Sequence, residues 1–151
     1  MPVPDLTPHP EGGKFAEVFR SSQRVQTAGD RDRCALTHIY FSLQPGEVSR
    51  FHRVTSDEIW NLYRGGVRLY VWGGMGSELE SVELSDNSQN YCHVVPAGYW
   101  QAAFPLSDGV LVGCSVAPGF EFEDFELIDP HSEEGQYLLS LDAAFEKLIL
   151  G

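Results

Sequence analysis

The feature that most constrains this chain is its punctuation. From residue 14 to residue 126 no stretch rich in β-branched and aromatic residues runs far before a turn composition interrupts it. The interruptions are Gln44-Pro-Gly46, Arg64-Gly-Gly66, Gly73-Gly-Met-Gly76, Ser85-Asp-Asn-Ser88, Pro96-Ala-Gly98, Ser107-Asp-Gly109 and Pro118-Gly119. Glycine supplies positive φ at such points and proline presets its own φ, so each is a turn with a mechanism. The runs between them predict strands at 14–20, 35–43, 49–54, 58–63, 67–72, 79–84, 89–95, 99–104, 110–116 and 120–126. Many short strands at nearly even spacing predict an all-β antiparallel barrel or jelly roll rather than an α/β fold. Only the tail at 140–150 reads as helix, with Leu141, Ala144, Phe145 and Leu148 at helical spacing and Ser140 as N-cap. Its expected place is against the outside of the β core.

A chain of 151 residues with 42% hydrophobic and 12% aromatic content is long and apolar enough to bury one core, so a single domain over 1–151 is expected, with its β core at about 9–128. The net charge of −12 argues against nucleic acid and against an anionic membrane surface, since both would be repelled. No apolar run approaches bilayer length, and Met1-Pro-Val-Pro-Asp5 lacks the basic and hydrophobic parts of a signal peptide, so the expected compartment is cytoplasmic. Cys34, Cys92 and Cys114 show no metal-type or redox-type spacing and read as small buried hydrophobes.

Chemistry concentrates in two blocks, 46–65 and 94–101. Strand side chains alternate between faces, so His52 shares a face with Val54, Glu58 with Trp60 and Leu62, and Gln101 with Tyr99 and Ala103. With the apolar members inside, His52, Glu58 and Gln101 converge in an aromatic-walled interior suited to a small molecule. Phe41, Ser49, Phe51, Trp60, Tyr99 and Gln101 are the candidate ligand contacts. Arg50 and Arg53 stand where an anionic ligand would pass. His52 and Glu58 are the candidate catalytic pair: hydrogen-bonded to each other, they would serve as general acid and base, or else simply satisfy one another as a buried polar pair.

These blocks resemble the cupin superfamily. Its first motif reads glycine, five residues, His-x-His, three or four residues, glutamate, six residues, glycine; Gly46, His52, Glu58 and Gly65 fall on it, with Val54 in place of the second histidine. In the second motif Pro96 and Gly98 match, Gln101 takes the histidine position, and Asn90 and Pro105 replace the leading glycine and closing asparagine. His9-Pro-Glu-Gly-Gly13, Phe51-His-Arg-Val54, Ser56-Asp-Glu58, Val94-Val-Pro-Ala-Gly98, Val116-Ala-Pro-Gly-Phe120 and Asp124-Phe-Glu-Leu127 are similar to the DUF985, or cupin 5, family. The resemblance implies a cupin (RmlC-like) jelly roll with a short C-terminal helix, and a homodimer. Metal-dependent cupins use three histidines and a glutamate. Here the set reduces to His52, Glu58 and the weak ligand Gln101, so a tight metal is not expected and the cofactor is left open. For His9-Pro-Glu-Gly-Gly13 only turn-making is assigned. The functional expectation is binding of a small polar or anionic metabolite inside the barrel. The alternatives are a sugar or keto-acid isomerase or epimerase using His52 and Glu58, and, more weakly, a metal-dependent oxygenase or lyase.

Overall fold

Two long antiparallel strands, β7 (Asp57–Trp72) and β10 (Trp100–Ala117), are paired from Trp72↔Trp100 to Asp57↔Ala117 in a computed structural model that describes residues 2–151. The far edge of β10 takes two different partners: β6 (Ser49–Val54) meets it at Gln101 and Ala103, and β5 (Thr37–Leu43) at residues 110–116. The far edge of β7 carries β8 (Glu80–Leu84) along 67–71 and β9 (Cys92–Val95) along 58–61. One ribbon therefore serves both halves of a curled antiparallel sheet. Beyond β5 lie β2 (Lys14–Arg20) and β1 (Thr7–Pro8), and beyond β6 lies β11 (Phe125–Leu127).

The ribbon bends where its register shifts, with Gly66 facing Leu106 and Gly65 facing Val110. Gly65 has φ +82°, and a Cβ there would stand 2.1 Å from the Gly109 carbonyl oxygen. Arg64-Gly-Gly66 and Ser107-Asp-Gly109 were expected as chain-reversing turns; they are bends within continuous strands. The expected strands 58–63 and 67–72 merge into β7, and 99–104 and 110–116 into β10. A left-handed glycine fits a bulge as well as a hairpin, so local composition does not separate the two.

A hairpin of β3 (Arg24–Thr27) and β4 (Arg31–Cys34) falls where no strand was expected. Its strands are mostly polar, and its turn uses Gly29 and Asp30, both at positive φ. The expected strand 120–126 is a 3₁₀ turn at Phe122–Asp124 followed by the three residues of β11. Cys34 and Cys114 are buried as expected, whereas Cys92 is exposed.

Strand alternation divides the core in two. Phe41, Leu43, Trp60, Leu69, Leu84 and Val112 fill the inside of the curl. Phe51, Trp72, Trp100 and Ala102 point outward and are covered by Leu138, Phe145, Leu148 and Ile149. The covering helices are α1 (Glu133–Leu141) and α2 (Glu146–Leu150), so the helical tail begins earlier than the expected 140–150. Ser132, not Ser140, is the N-cap, accepting the Gly135 N–H at 3.0 Å. Asp142 then interrupts the helix, and its carboxylate takes the Ala144 N–H at 2.9 Å. Among the described residues no helix is long and apolar enough to cross a membrane.

If Gly65 sets the bend, Gly65→Ala should lower unfolding stability by about 1–3 kcal/mol through backbone strain alone. Urea denaturation measures this; an unchanged midpoint would show that the bend does not need glycine.

Candidate functional site

The curl encloses a cavity of about 190 Å³. Its closed end is made by His9, Glu11, His52 and Glu58, each more than nine-tenths buried. Ile39, Val54 and Val116 and the rings of Phe15, Phe120, Phe122 and Phe125 make up its apolar lining. Glu17, Arg20 and Glu121 stand at the partly exposed mouth.

Alternation along β6 aims His52 and Val54 into the cavity and sends Phe51 to the opposite face. His52 Nδ1 lies 2.7 Å from the Arg50 carbonyl oxygen, which can only accept, so Nδ1 carries the proton and the neutral ring presents its Nε2 lone pair. That Nε2 is 3.4 Å from Glu11 Oε1, and Phe125 stacks on the ring at 5.4 Å. On β7, Glu58 Oε1 accepts the Gln101 side-chain amide at 2.9 Å. Gln101 Oε1 in turn accepts the Trp60 indole N–H at 2.7 Å. The Cys114 thiol, pushed up by burial and so kept protonated, donates to Glu58.

The fold thus brings His52, Glu58 and Gln101 together on neighbouring strands. It does not build the expected His52–Glu58 hydrogen-bonded pair as drawn from sequence: Glu58 is held by Gln101 and Cys114, and the carboxyl at His52 Nε2 belongs to Glu11. Phe41, Ser49, Trp60 and Gln101 form a supporting layer behind the lining. Phe41 packs edge-on against Trp60 at 5.9 Å, and the Ser49 hydroxyl donates to Glu11. Phe51 packs against Phe145 beneath the helices, and Tyr99 is 40% exposed in a surface groove with Gly73 and Pro96; neither lines the cavity. Arg50 donates to the Pro10 carbonyl oxygen at 2.7 Å, and Arg53 pairs with Glu126 at 2.8 Å, so both are turned to other tasks.

His9 and Glu11 are the candidate site residues that sequence reasoning missed. They sit on a tight turn in which the His9 N–H donates to Gly13 O at 3.0 Å and the Gly12 N–H to His9 O at 2.9 Å. Gly12 has φ +113°, and a Cβ there would fall 2.0 Å from the Val48 carbonyl oxygen, so only glycine lets the turn press against the barrel. The signal was two titratable residues placed immediately before a double glycine.

Phe120, Phe122 and Phe125 are carried on a strap fastened at several points. The Gly119 N–H donates to Cys34 O at 2.7 Å, and the Phe120 N–H to Thr37 Oγ1 at 3.0 Å. Arg33 grips Asp124 through Nε and Nη2, each at 2.8 Å, and Arg31 adds a third contact at 2.8 Å.

Burial dominates the electrostatics. It raises Glu11 to about 8, against the opposing effects of the Ser49 hydroxyl and Arg50. It raises Glu58 to about 7, against His52 and with help from Glu11. It depresses His9 to about 3, with repulsion from His52 adding to the shift, and it lowers His52 despite the nearby Glu58. At neutral pH the close His–Glu11 contacts are therefore contacts between neutral groups rather than ion pairs.

The ligand positions of metal-dependent cupins are not reproduced. Val54 has no donor atom, and Gln101 has committed its carbonyl oxygen to Trp60 and its amide to Glu58. Among the described residues no group of three or more His, Cys, Asp and Glu is arranged to hold a metal ion. The donor set does not fit three histidines and a glutamate, and no chemistry is routed through a metal.

A curled antiparallel sheet around a pocket that takes His52 and Glu58 from the strands of the first motif defines a cupin barrel. The match to the family described as Cupin superfamily (DUF985) covers residues 4–128, and the chain belongs to that family. It is similar to protein SO0799 from Shewanella oneidensis, at 36% identity and a TM-score of 0.76, covering 95% of this chain and 90% of that one. A hypothetical protein from Leishmania major is 28% identical with a TM-score of 0.79, over 96% of this chain and 91% of that one. The uncharacterised Saccharomyces cerevisiae protein YML079W is 29% identical over 147 residues, 85% of this chain and 73% of that protein.

Trp60→Phe should cost about 1–3 kcal/mol by leaving the Gln101 oxygen buried without a donor; a thermal melt equal to wild type would place a water there instead. The carboxyl shifts also set a pH dependence. Because Glu11 and Glu58 are raised, the folded chain holds their protons more tightly than the unfolded chain. That stability is complete below 4.5 and is lost as pH rises through about 7 and about 8. The depressed His9 acts oppositely, its contribution being present above 6.5 and lost as pH falls through about 3. Stability should thus decline from pH 6.5 to about 8, and Glu11→Gln should flatten the decline; identical pH profiles for the two proteins would contradict this.

Proposed function

We propose that this chain binds a small polar molecule in the barrel cavity, its polar head against His9, Glu11, His52 and Glu58 and its remainder against the phenylalanine wall. The observation that carries this reading is the convergence of four buried titratable side chains at the closed end of an apolar cavity, an arrangement that costs stability and is common where ligands bind. An anionic head fits poorly. Arg20, the cation at the mouth, is already spent: Nε and Nη2 on Glu17 at 3.2 and 2.8 Å, Nη1 on Glu121 at 2.9 Å, and Nη2 on the Phe120 carbonyl at 3.0 Å. Two carboxyls face the ligand instead.

A second reading, isomerase or epimerase, is favoured by one observation: His52 turns its Nε2 lone pair to the cavity beside Glu11, and Glu58 sits at about 7, where an acid–base group works best at neutral pH. In it Glu58 takes a proton from carbon beside a carbonyl, and a proton returned to either face completes the exchange.

Ligand-observed NMR against sugars, hydroxyketones and amines tests the first reading. Hits should lose contact in His52→Ala and Phe122→Ala. Binding indifferent to both changes would place the ligand elsewhere. For the second reading, hits carrying a carbonyl should exchange their adjacent C–H for deuterium in heavy water, and Glu58→Gln should slow this by roughly 10²–10⁴-fold. A bound ketone that never exchanges would leave a binding protein.

A further inference from the structure

We infer that the cavity is built for an organic ammonium ion: a primary amine or a more substituted ammonium head on a flat apolar body. This rests on the reading of the cavity as a ligand site and names the chemical class it takes.

With its carboxyls ionised, the closed end offers mostly hydrogen-bond acceptors. His52 has its Nδ1–H committed to the Arg50 carbonyl, so what it shows the cavity is a lone pair on Nε2. Glu11 Oε1 lies 3.4 Å from that nitrogen and 3.2 Å from His9 Nδ1. His9 Nδ1 is itself an acceptor, taking the Glu11 backbone N–H at 3.2 Å, which leaves the His9 proton on Nε2. Glu58 completes the set. A primary ammonium is three donors and no acceptor on one atom, the complement of such a site.

Neither buried carboxyl has a cationic bond partner at the site. The bonded partners of Glu58 are a glutamine amide and a thiol, and that of Glu11 is a serine hydroxyl. Arg50 acts on Glu11 through space but points its guanidinium at Pro10 O and does not line the cavity. Buried carboxylates are ordinarily paired with a cation. Among the described residues lining this cavity the one guanidinium is Arg20, which is held at the mouth by Glu17 and Glu121. Burial favours the protonated forms of both carboxyls, and a ligand cation placed against them would favour the carboxylates and supply the counter-charge.

The walls agree. Phe15, Phe120, Phe122 and Phe125 give the cavity aromatic faces, whose quadrupole attracts a desolvated cation as well as an apolar body. The net charge of −12 draws cations toward the molecule at long range and repels anions.

Three probes of one shape separate the possibilities: benzylamine, benzyl alcohol and benzoate, titrated by calorimetry at neutral pH with a chelator present so that a bridging metal adds nothing. Benzylammonium should bind at least roughly tenfold more tightly than the alcohol, and benzoate should not bind. Glu11→Gln and Glu58→Gln should each erase the preference for the amine. Both keep the shape of the carboxyl, so circular dichroism should show the fold retained. Phe122→Ala, at a half-exposed ring, should weaken the amine and the alcohol alike. Equal or tighter binding of the alcohol or of benzoate overturns the inference while leaving the cavity a ligand site. Absence of binding by all three, with some other compound held in the same cavity, overturns it as well. If no compound of any class enters the cavity, the reading beneath it falls too.

Discussion

The pairing of β7 with β10 is the constraint on which the rest of this molecule depends. Each strand offers one edge to the other along its whole length and divides its free edge between two neighbours, so the ribbon belongs to both halves of the sheet. Because side chains alternate, the same ribbon supplies Trp60, Leu69 and Val112 to the interior and Trp72, Trp100 and Ala102 to the face covered by helices. The bend at Gly65 turns a flat ladder into a curl, and the curl makes an inside. Glu58 and Gln101 stand on opposite members of this ribbon, so the hydrogen bond between them also depends on its register.

Within that inside, the cost of burying titratable groups has been accepted rather than avoided. A stable barrel has no need of two carboxyls and two imidazoles at one closed end; apolar residues there would avoid the desolvation penalty. The surrounding layer limits that penalty without removing it. Trp60 orients Gln101, Gln101 orients Glu58, Ser49 holds Glu11, and the Arg50 carbonyl selects the His52 tautomer. Each of these supports comes from a residue behind the lining.

How much of this was legible in the sequence depends on which interactions decide each feature. The strands from 37 to 116 and the inward aim of His52, Val54 and Glu58 follow from β-rich composition and alternation, which are local, whereas the polar β3–β4 hairpin and the 3₁₀ turn at Phe122–Asp124 carry no such local signal. The same parity sets Phe51 on the face opposite His52, although an aromatic ring by itself suits a ligand wall and a helix-covered face equally. Arg64-Gly-Gly66 shows a different limit, since positive φ serves hairpin and bulge equally. The helix was placed late because Leu141 and Leu148 drew attention to the periodic residues, while the cap that starts it, Ser132, stands earlier beside two glutamates. His9 and Glu11 were illegible as site residues for a tertiary reason. Nothing near them in the chain shows that their turn presses on Val48 and meets β6.

That turn has a consequence for how ligand and fold are linked. Glu11 enters the cavity from the leading edge of the sheet, and Phe120, Phe122 and Phe125 enter from a strap beyond β10, while the central ribbon supplies the floor. The site therefore joins two peripheral segments to the core strands that carry His52 and Glu58. Opening either segment dismantles the cavity while leaving β7 and β10 zipped together. A molecule held there protects both margins at once: its binding free energy is spent against local opening of the edges, and occupancy is felt as reduced hydrogen exchange far more at the start of the chain and along the strap than in the ribbon between them.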